Sequence, residues 1–460
     1  MLKCISSVTL VIVLLSRVHA QQTFVKIPIG DIATGFDALK IQALNIDDSV
    51  LIASTDTKRK DSPKAYWILP DGNSMKITNS EINGKIFVCL DRIGDSTYFY
   101  YLEEQRNYIV LRALVQSNQT GVLINSPKKI VFIGTFLNLF RADDQHLYLV
   151  SVVKDKNEIH VVEVSDLVRV SEKIVVPRVD LKTNESPFVF VKEGETPSPV
   201  KSASLNKIFQ RGHFLYLDID RIHKLFDIPR KSSFTRIDLQ AGTLMEREII
   251  DAERMDFRTY IEDAYIFKIS KSRSDGCIVN IYDLESLRVV KTFAIDKSAS
   301  FAKERAIKRG PLVSHNKESV RDAISNHSSG FITATVLDSG RVILKLGSNH
   351  VNIPTLYVPF PHFSLLGAFI SAVTIASLAI NDPKAVDQYL YVKWDGKDNF
   401  TFSDQPVSVD QLIDAYDIGA FTQRIKFTYK AHVPLRNKVI GIYHAVGSPS
   451  LDIIRFEVSK

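Results

Sequence analysis

The sequence predicts an all-β fold, a single β-propeller of eight blades with seven as the alternative. Three observations lead there. Hydrophobic alternation of period two dominates over any helical period, as in Tyr265, Phe267 and Ile269 against Lys268 and Ser270. An aromatic-aliphatic strand recurs along the whole chain at intervals of 47, 49, 68, 51, 67, 57 and 50 residues. Between these strands lie turn residues suited to hairpins: Asp71-Gly72, Asn83-Gly84, Asp275-Gly276, Asp338-Ser339-Gly340 and Asp395-Gly396. A repeat near fifty residues built from about four strands is the period of a propeller blade. A pair of β-sandwiches is the competing architecture.

The elements follow in chain order. Lys3, the short apolar run Ser7–Leu15 and the small residues before Ala20 have the form of a cleavable secretory signal over 1–20. That leaves 21–460 as one propeller domain. The strand Gln22–Ile29 has no blade of its own, so it is expected to pair with the last blade and close the ring. The eight recurrent strands begin with SVLIAS, STYFYYL, QHLYLVSV, HFLYLDI, AYIFKI, FITATV, QYLYVKW and KVIGIY. Polar insertions swell the repeat near 179–207 and 296–329. The run 363–380 only brushes the length of a membrane span and is expected to be buried strand. Ser408 with Gln411 predicts a short helix over Val409–Tyr416.

Three segments share a strand, an Asp-Leu pair, a short turn and a second strand: EVSDLVRVSEKI, RIDLQAGTLMEREI and IYDLESLRVVKTF. With Asp166-Leu167, Asp238-Leu239 and Asp283-Leu284, they resemble the third-to-fourth strand hairpin of YVTN-type and quinoprotein-type blades. The resemblance implies a propeller architecture and no particular activity. Trp394-Asp395 is the only Trp-Asp pair, so a WD40 repeat does not fit.

The 460 residues carry a formal charge of +6, and loss of Lys3 and Arg17 with the signal lowers it by two. So small an excess, spread along the chain, excludes a nucleic-acid stripe. Cys89 and Cys277 alone remain after the signal, too few for a disulfide scaffold, and one Cys89–Cys277 bridge is an open pairing. Sequons at Asn118, Asn184, Asn326 and Asn399 fit N-glycosylation of a secreted chain.

Catalytic signatures are missing from the sequence: no G-x-S-x-G, H-E-x-x-H, P-loop or zinc-spaced cysteines. No catalytic residue, cofactor or metal ligand is therefore assigned, although His213, His223, His350, His362, His432 and His444 are the ligand types to follow. The basic clusters Lys58–Lys60 and Lys303–Arg309 are expected to be solvated loops. The run Tyr98–Tyr101 is expected to pack between sheets. The resulting expectation is an extracellular binding module for a protein or glycan, without a membrane span. A hydrolase or lactonase with a central-channel site is the alternative.

Overall fold

The computed structural model describes the strands set out below, their shorter turns, residues 192–193, 201–202 and 204, and scattered positions between 409 and 425. Residues 1–22, the basic cluster 58–60, and the apolar run 363–380 lie outside the described residues.

The chain opens with β1 (Thr23–Pro28) and then builds six blades, each from one contiguous stretch. Blade I holds β2 (Ile41–Ile46), β3 (Ser49–Ser54), β4 (Lys64–Ile68) and β5 (Ser74–Thr78). Blade II holds β6 (Ile86–Ile93), β7 (Ser96–Gln105), β8 (Tyr108–Ser117), β9 (Leu123–Asn125) and β10 (Ile130–Phe132). Blade III is β11 (Thr135–Arg141), β12 (Leu147–Val153), β13 (Glu158–Ser165) and β14 (Arg169–Val176). Blade IV has five strands: β15 (Phe188–Val191), β16 (Asn206–Arg211), β17 (Phe214–Asp220), β18 (Lys231–Asp238) and β19 (Thr243–Ile250). Blade V comprises β20 (Arg258–Glu262), β21 (Tyr265–Lys271), β22 (Cys277–Asp283) and β23 (Val289–Ile295). Blade VI comprises β24 (Ile307–Lys308), β25 (Gly330–Val336), β26 (Val342–His350), β27 (Val386–Trp394) and β28 (Phe400–Phe402). A last, composite sheet takes β29 (Phe427–Leu435), β30 (Lys438–Ala445) and β31 (Ser450–Glu457) from the C-terminal region and β1 from the other end, with Ile27 opposite Leu451.

This arrangement corrects the expected blade count. Neither eight blades nor seven describes the chain: six blades are contiguous and the remaining sheet is shared by both ends. The overcount has two origins: the last recurrent strand, KVIGIY, is β30 of the shared sheet, and two others fall in one blade. The recurrent strands mark the second core strand of each sheet (β3, β7, β12, β17, β21 and β30), but FITATV and QYLYVKW are β25 and β27 of the same blade. Their 57-residue interval spans β26 and residues 351–385, which separate two neighbouring strands of one sheet.

The polar stretches also hold sheet. The 179–207 insertion contains β15 and the first residues of β16, and β24 lies in the 296–329 insertion, with Lys308 opposite Gln388.

The hydrophobic core lies between blades. Phe209 and Phe234 of blade IV, Tyr260 and Phe267 of blade V, and Leu344 and Trp394 of blade VI form one cluster. Phe140 and Val150 meet Ile208 and Leu217 between blades III and IV; Tyr100 and Leu111 meet Phe136 and Leu149 between II and III. Each large side chain buried in this way contributes about 1.5–3 kcal/mol. The aromatic run behaves accordingly: Phe99, Tyr100 and Tyr101 are buried, and Phe87 meets Phe99 and Tyr101 edge-on at 6.3 and 6.2 Å.

The Asp-Leu pairs at Asp238 and Asp283 join third to fourth core strands, and Asp166-Leu167 lies outside the described residues. Asp238 Oδ1 accepts from the Gln240 and Ala241 amides at 3.0 and 2.9 Å, and Asp283 Oδ1 from the Ser286 amide at 2.7 Å. The following leucine amides donate back to the residue preceding the second core strand, Leu239 to His213 O at 3.0 Å and Leu284 to Ala264 O at 2.9 Å. An aspartate side chain that mimics a turn carbonyl explains the choice of residue. Asp395 plays the same part in blade VI, accepting from the Lys397 and Asn399 amides.

Helical positions Val409, Leu412, Ile413 and Tyr416 pack on Tyr443, Ile454 and Phe456 of the composite sheet, in keeping with the expected helix. Gly441 of β30 permits this crowding. A Cβ there would lie 2.4 Å from Tyr443 Cε2 and 2.6 Å from Phe456 Cε2.

Candidate functional site: the inner strand edges

The first strand of a propeller blade faces the axis, and its outer backbone edge has no fifth strand to pair with. Here β2, β6, β11, β20 and β25 hold that place, and neighbours among them touch: β2 with β6, β6 with β11, β20 with β25. Blade IV departs from this scheme. Its inner edge, β16, is covered by β15, which runs parallel to it with Phe188 opposite Asn206 and Val191 opposite Phe209. β15 in turn touches β11 of blade III.

The chain then reaches much further. Lys201 Nζ donates to Phe190 O at 2.9 Å, which ties this residue to β15. Ser202 Oγ donates to Ile332 O and accepts from Ile332 N at 3.1 Å. Ile332 belongs to β25, the inner strand of blade VI, so one serine satisfies both backbone groups of a residue on that open edge. Blade V lies between the two blades so joined.

Beneath this segment sits Lys207, fully buried on β16. Its Nζ donates to Ser204 O at 2.6 Å and Ser202 O at 3.3 Å, and lies 3.6 Å from Asp218 Oδ2 of β17. Lys207 and Asp218 are direct register partners, so adjacent strands place them together. A charge taken out of water is retained only with such partners.

At the opposite end of the inner strands, two arginine-carboxylate pairs join neighbouring blades. Arg141, the last residue of β11, holds Asp91 of β6 through Nε at 2.8 Å and through Nη2. Arg211, the last residue of β16, donates to Glu262 Oε2 at 2.8 Å and to Ile261 O of β20. The bond to Asp91 holds the Arg141 guanidinium above its ordinary range. Burial raises the Glu262 carboxyl, Arg211 opposes that rise, and Glu193 and Asp263 add to it. Glu193 is itself bound in place, its amide donating to Gln210 Oε1 at 3.1 Å and its carboxylate accepting from the Gly212 amide at 2.5 Å.

Cys89 lies beside Asp91 and Arg141. It is a free, buried thiol, pushed up to about 11 by burial, and it donates to Leu90 O at 3.3 Å. Of the two cysteines weighed for a bridge, Cys89 stands in blade II and Cys277 opens β22 in blade V. Burial likewise raises the neighbouring Tyr100 hydroxyl. A buried thiol in apolar surroundings is favoured in its protonated form.

Among the described residues these histidines do not converge. The His213 ring packs against Phe214 at a tilt of 40°, centroids 4.0 Å apart, in blade IV, and His350 ends β26 in blade VI. His432 Nε2 meets Tyr443 OH at 2.8 Å and His444 Nε2 meets Ser448 O at 3.0 Å, both in the composite sheet. His223 and His362 lie outside the described residues. Among the described residues no three His, Cys, Asp or Glu side chains form a group that could hold a metal ion. No helix among them is long and apolar enough to cross a membrane.

Of the sequons, Asn118, Asn184 and Asn326 lie outside the described residues. Asn399 is exposed at the end of the Asp395 turn, with Nδ2 donating to Asp395 Oδ2 at 2.7 Å.

Sequence reasoning passed over both inter-blade pairs. The signal was present: Asp91 and Arg141 are 50 residues apart, and Arg211 and Glu262 are 51 apart, one repeat length in each case.

No protein-family profile matches the chain, and neither does any curated protein. Among solved structures it is similar to the β-propeller domain of the Trilobed protease from Pyrococcus furiosus, at 10% identity over 93% of this chain and 97% of that one, with a TM-score of 0.41. It is also similar to the Pyrococcus horikoshii acylaminoacyl peptidase, at 9% identity over 91% of this chain and 52% of the other, with a TM-score of 0.39. A prolyl endopeptidase matches at 10% identity over 92% and 51%, with a TM-score of 0.41. The chain spans about half the length of these two peptidases. The class defined by the fold is that of β-propeller proteins.

Proposed function

We propose that this chain is a secreted, N-glycosylated β-propeller that binds an extracellular protein or glycan through its outer surface. One observation favours a binding surface over a site on the propeller axis. The inner edges of blades IV and VI, where a channel site would be assembled, are already taken by β15 and by Ser202 of the same chain. Several charged groups of the inner strands are turned to partners within the chain: Arg141 to Asp91, Arg211 to Glu262, and Lys207 to Asp218 of β17. The signal-type residues 1–20 and the four sequons support export.

The test is expression of the full chain in a eukaryotic secretory host. Recovery from the medium, with a fall in mass on glycosidase treatment, is the expected outcome. The purified protein is then passed over immobilised glycans and extracellular-matrix proteins, where saturable binding supports the reading. Retention of the chain unglycosylated inside the cell overturns the secreted part. Turnover of peptide or ester substrates by the purified protein, lost on substituting residues of the inner strands, overturns the binding part.

A further inference from the structure

We propose that Phe188–Glu193 together with Lys201, Ser202 and Ser204 act as a cross-propeller staple: they tie the inner edges of blades IV and VI to each other, and their release exposes both edges at once. The staple is independent of what the outer surface binds.

Three contacts make it one device. β15 pairs along the first four residues of β16, from the Phe188–Asn206 pair to the Val191–Phe209 pair. Lys201 Nζ joins the far limb of the segment back to β15 through Phe190 O at 2.9 Å. Ser202 closes the span on Ile332 of β25, 130 residues away in sequence. Lys207, immobile within β16, holds the Ser202 and Ser204 carbonyls from below. The far limb therefore has attachments on both blades, and neither attachment belongs to a continuous ladder.

Each member has a reason to be what it is. A serine has one hydroxyl that can donate and accept together, which a backbone N–H and C=O on one edge residue require. A lysine supplies three donors from one nitrogen, enough for both carbonyls, and sets its charge 3.6 Å from the Asp218 carboxylate. An open inner edge left without either is a row of unpaired backbone groups, free to accept another extended chain.

The test is hydrogen-deuterium exchange on the full chain, resolved to β15, β25 and β31. In Ser202→Ala, exchange is expected to accelerate at Ile332 and also across β15, each by at least roughly fivefold, the factor that one net hydrogen bond carries. β31 is expected to stay at its wild-type rate. Lys201→Met is expected to give the same pair of responses from the other end. Acceleration at Ile332 with β15 unchanged means that Ser202 only caps a local edge, and overturns the proposal. Unchanged exchange at both places overturns it as well. If Ser202→Ala does not fold, Lys201→Met decides alone: β25 and β15 either loosen together or they do not.

Discussion

The inner and outer edges of the blades invert the usual relation between polarity and burial. β16, on the inner edge of blade IV, reads Asn-Lys-Ile-Phe-Gln-Arg, and all six residues are buried. The outer edge of blade II is formed by β9 and β10, and there Val122, Ile124, Val131 and Ile133 are 57, 58, 50 and 65% exposed. The difference comes from position in the sheet. β16 has neighbours on both faces, Ile208 packing toward blade III and Phe209 toward blade V, and a strand on each edge. Its polar side chains are enclosed because the backbone around them needs partners, and they supply them. The outer strand has a free edge and no blade beyond it. Its protection is of another kind: Pro127, Lys128 and Lys129 interrupt it between β9 and β10, which blunts pairing with a second sheet. Burial in a propeller thus follows distance from the axis more closely than it follows hydropathy.

The strongest way to break this contrast is at Lys207. Lys207→Met places an apolar group of similar length where a buried nitrogen held two carbonyls and a carboxylate. The loss should be about 3–5 kcal/mol, because the partners stay buried without it. A urea denaturation midpoint reads it, and the double variant with Asp218→Leu is expected to recover part of the loss. Equal destabilisation in single and double variants would show that the carboxylate is no part of the unit.

Next in size is Gly441→Ala. A methyl group has no room beside Tyr443 and Phe456, so a cost of about 1–3 kcal/mol is expected from overpacking, measurable in the same way. The site tests whether crowding alone, with no charge involved, limits the composite sheet as strictly as the inner edge of blade IV.

How much of this was legible beforehand depends on which signal each element sends. β3, β7, β12, β17 and β21 were readable because alternation with aromatics survives in any blade. The Asp-Leu turns at Asp238 and Asp283 were readable because their hydrogen bonds are local. β15 was not. Phe188–Val191 stands in a proline-rich polar stretch, and its partner β16 is a parallel neighbour chosen by tertiary packing. The polarity of β16 argued for a surface, and only the blades on either side reverse that. Blade number failed at two places: residues 351–385 part β26 from β27, so that two recurrent strands fall in one blade, and the last recurrent strand, β30, belongs to the sheet shared by both ends.

Glu262 sharpens the comparison through pH. Its folded-state carboxyl titrates above the ordinary value because burial disfavours the charge more than Arg211 favours it. A raised carboxyl pKa means that the folded state holds the proton more tightly than the unfolded one. The contribution to stability is full below the unfolded pKa and is lost as pH rises through the folded value. Relative to Glu262→Gln, the wild type should therefore lose stability on going from about pH 4 to neutral. Parallel stability curves for the two proteins over that window would remove the coupling.

The smallest effect belongs to the outer edge. Val131 and Ile133 contribute little to the core of blade II, whose buried residues in this strand are Ile130 and Phe132. Replacing both exposed residues with lysine should change stability by no more than about 0.5 kcal/mol, the range of ordinary surface substitutions. Solubility should rise, because two aliphatic groups leave an open strand edge and two charges take their place. The variant is compared with wild type by denaturation and by light scattering at increasing concentration. A loss as large as that of Lys207→Met would mean that this strand is packed as tightly as the axis, and that distance from the axis does not govern which side chains the fold depends on.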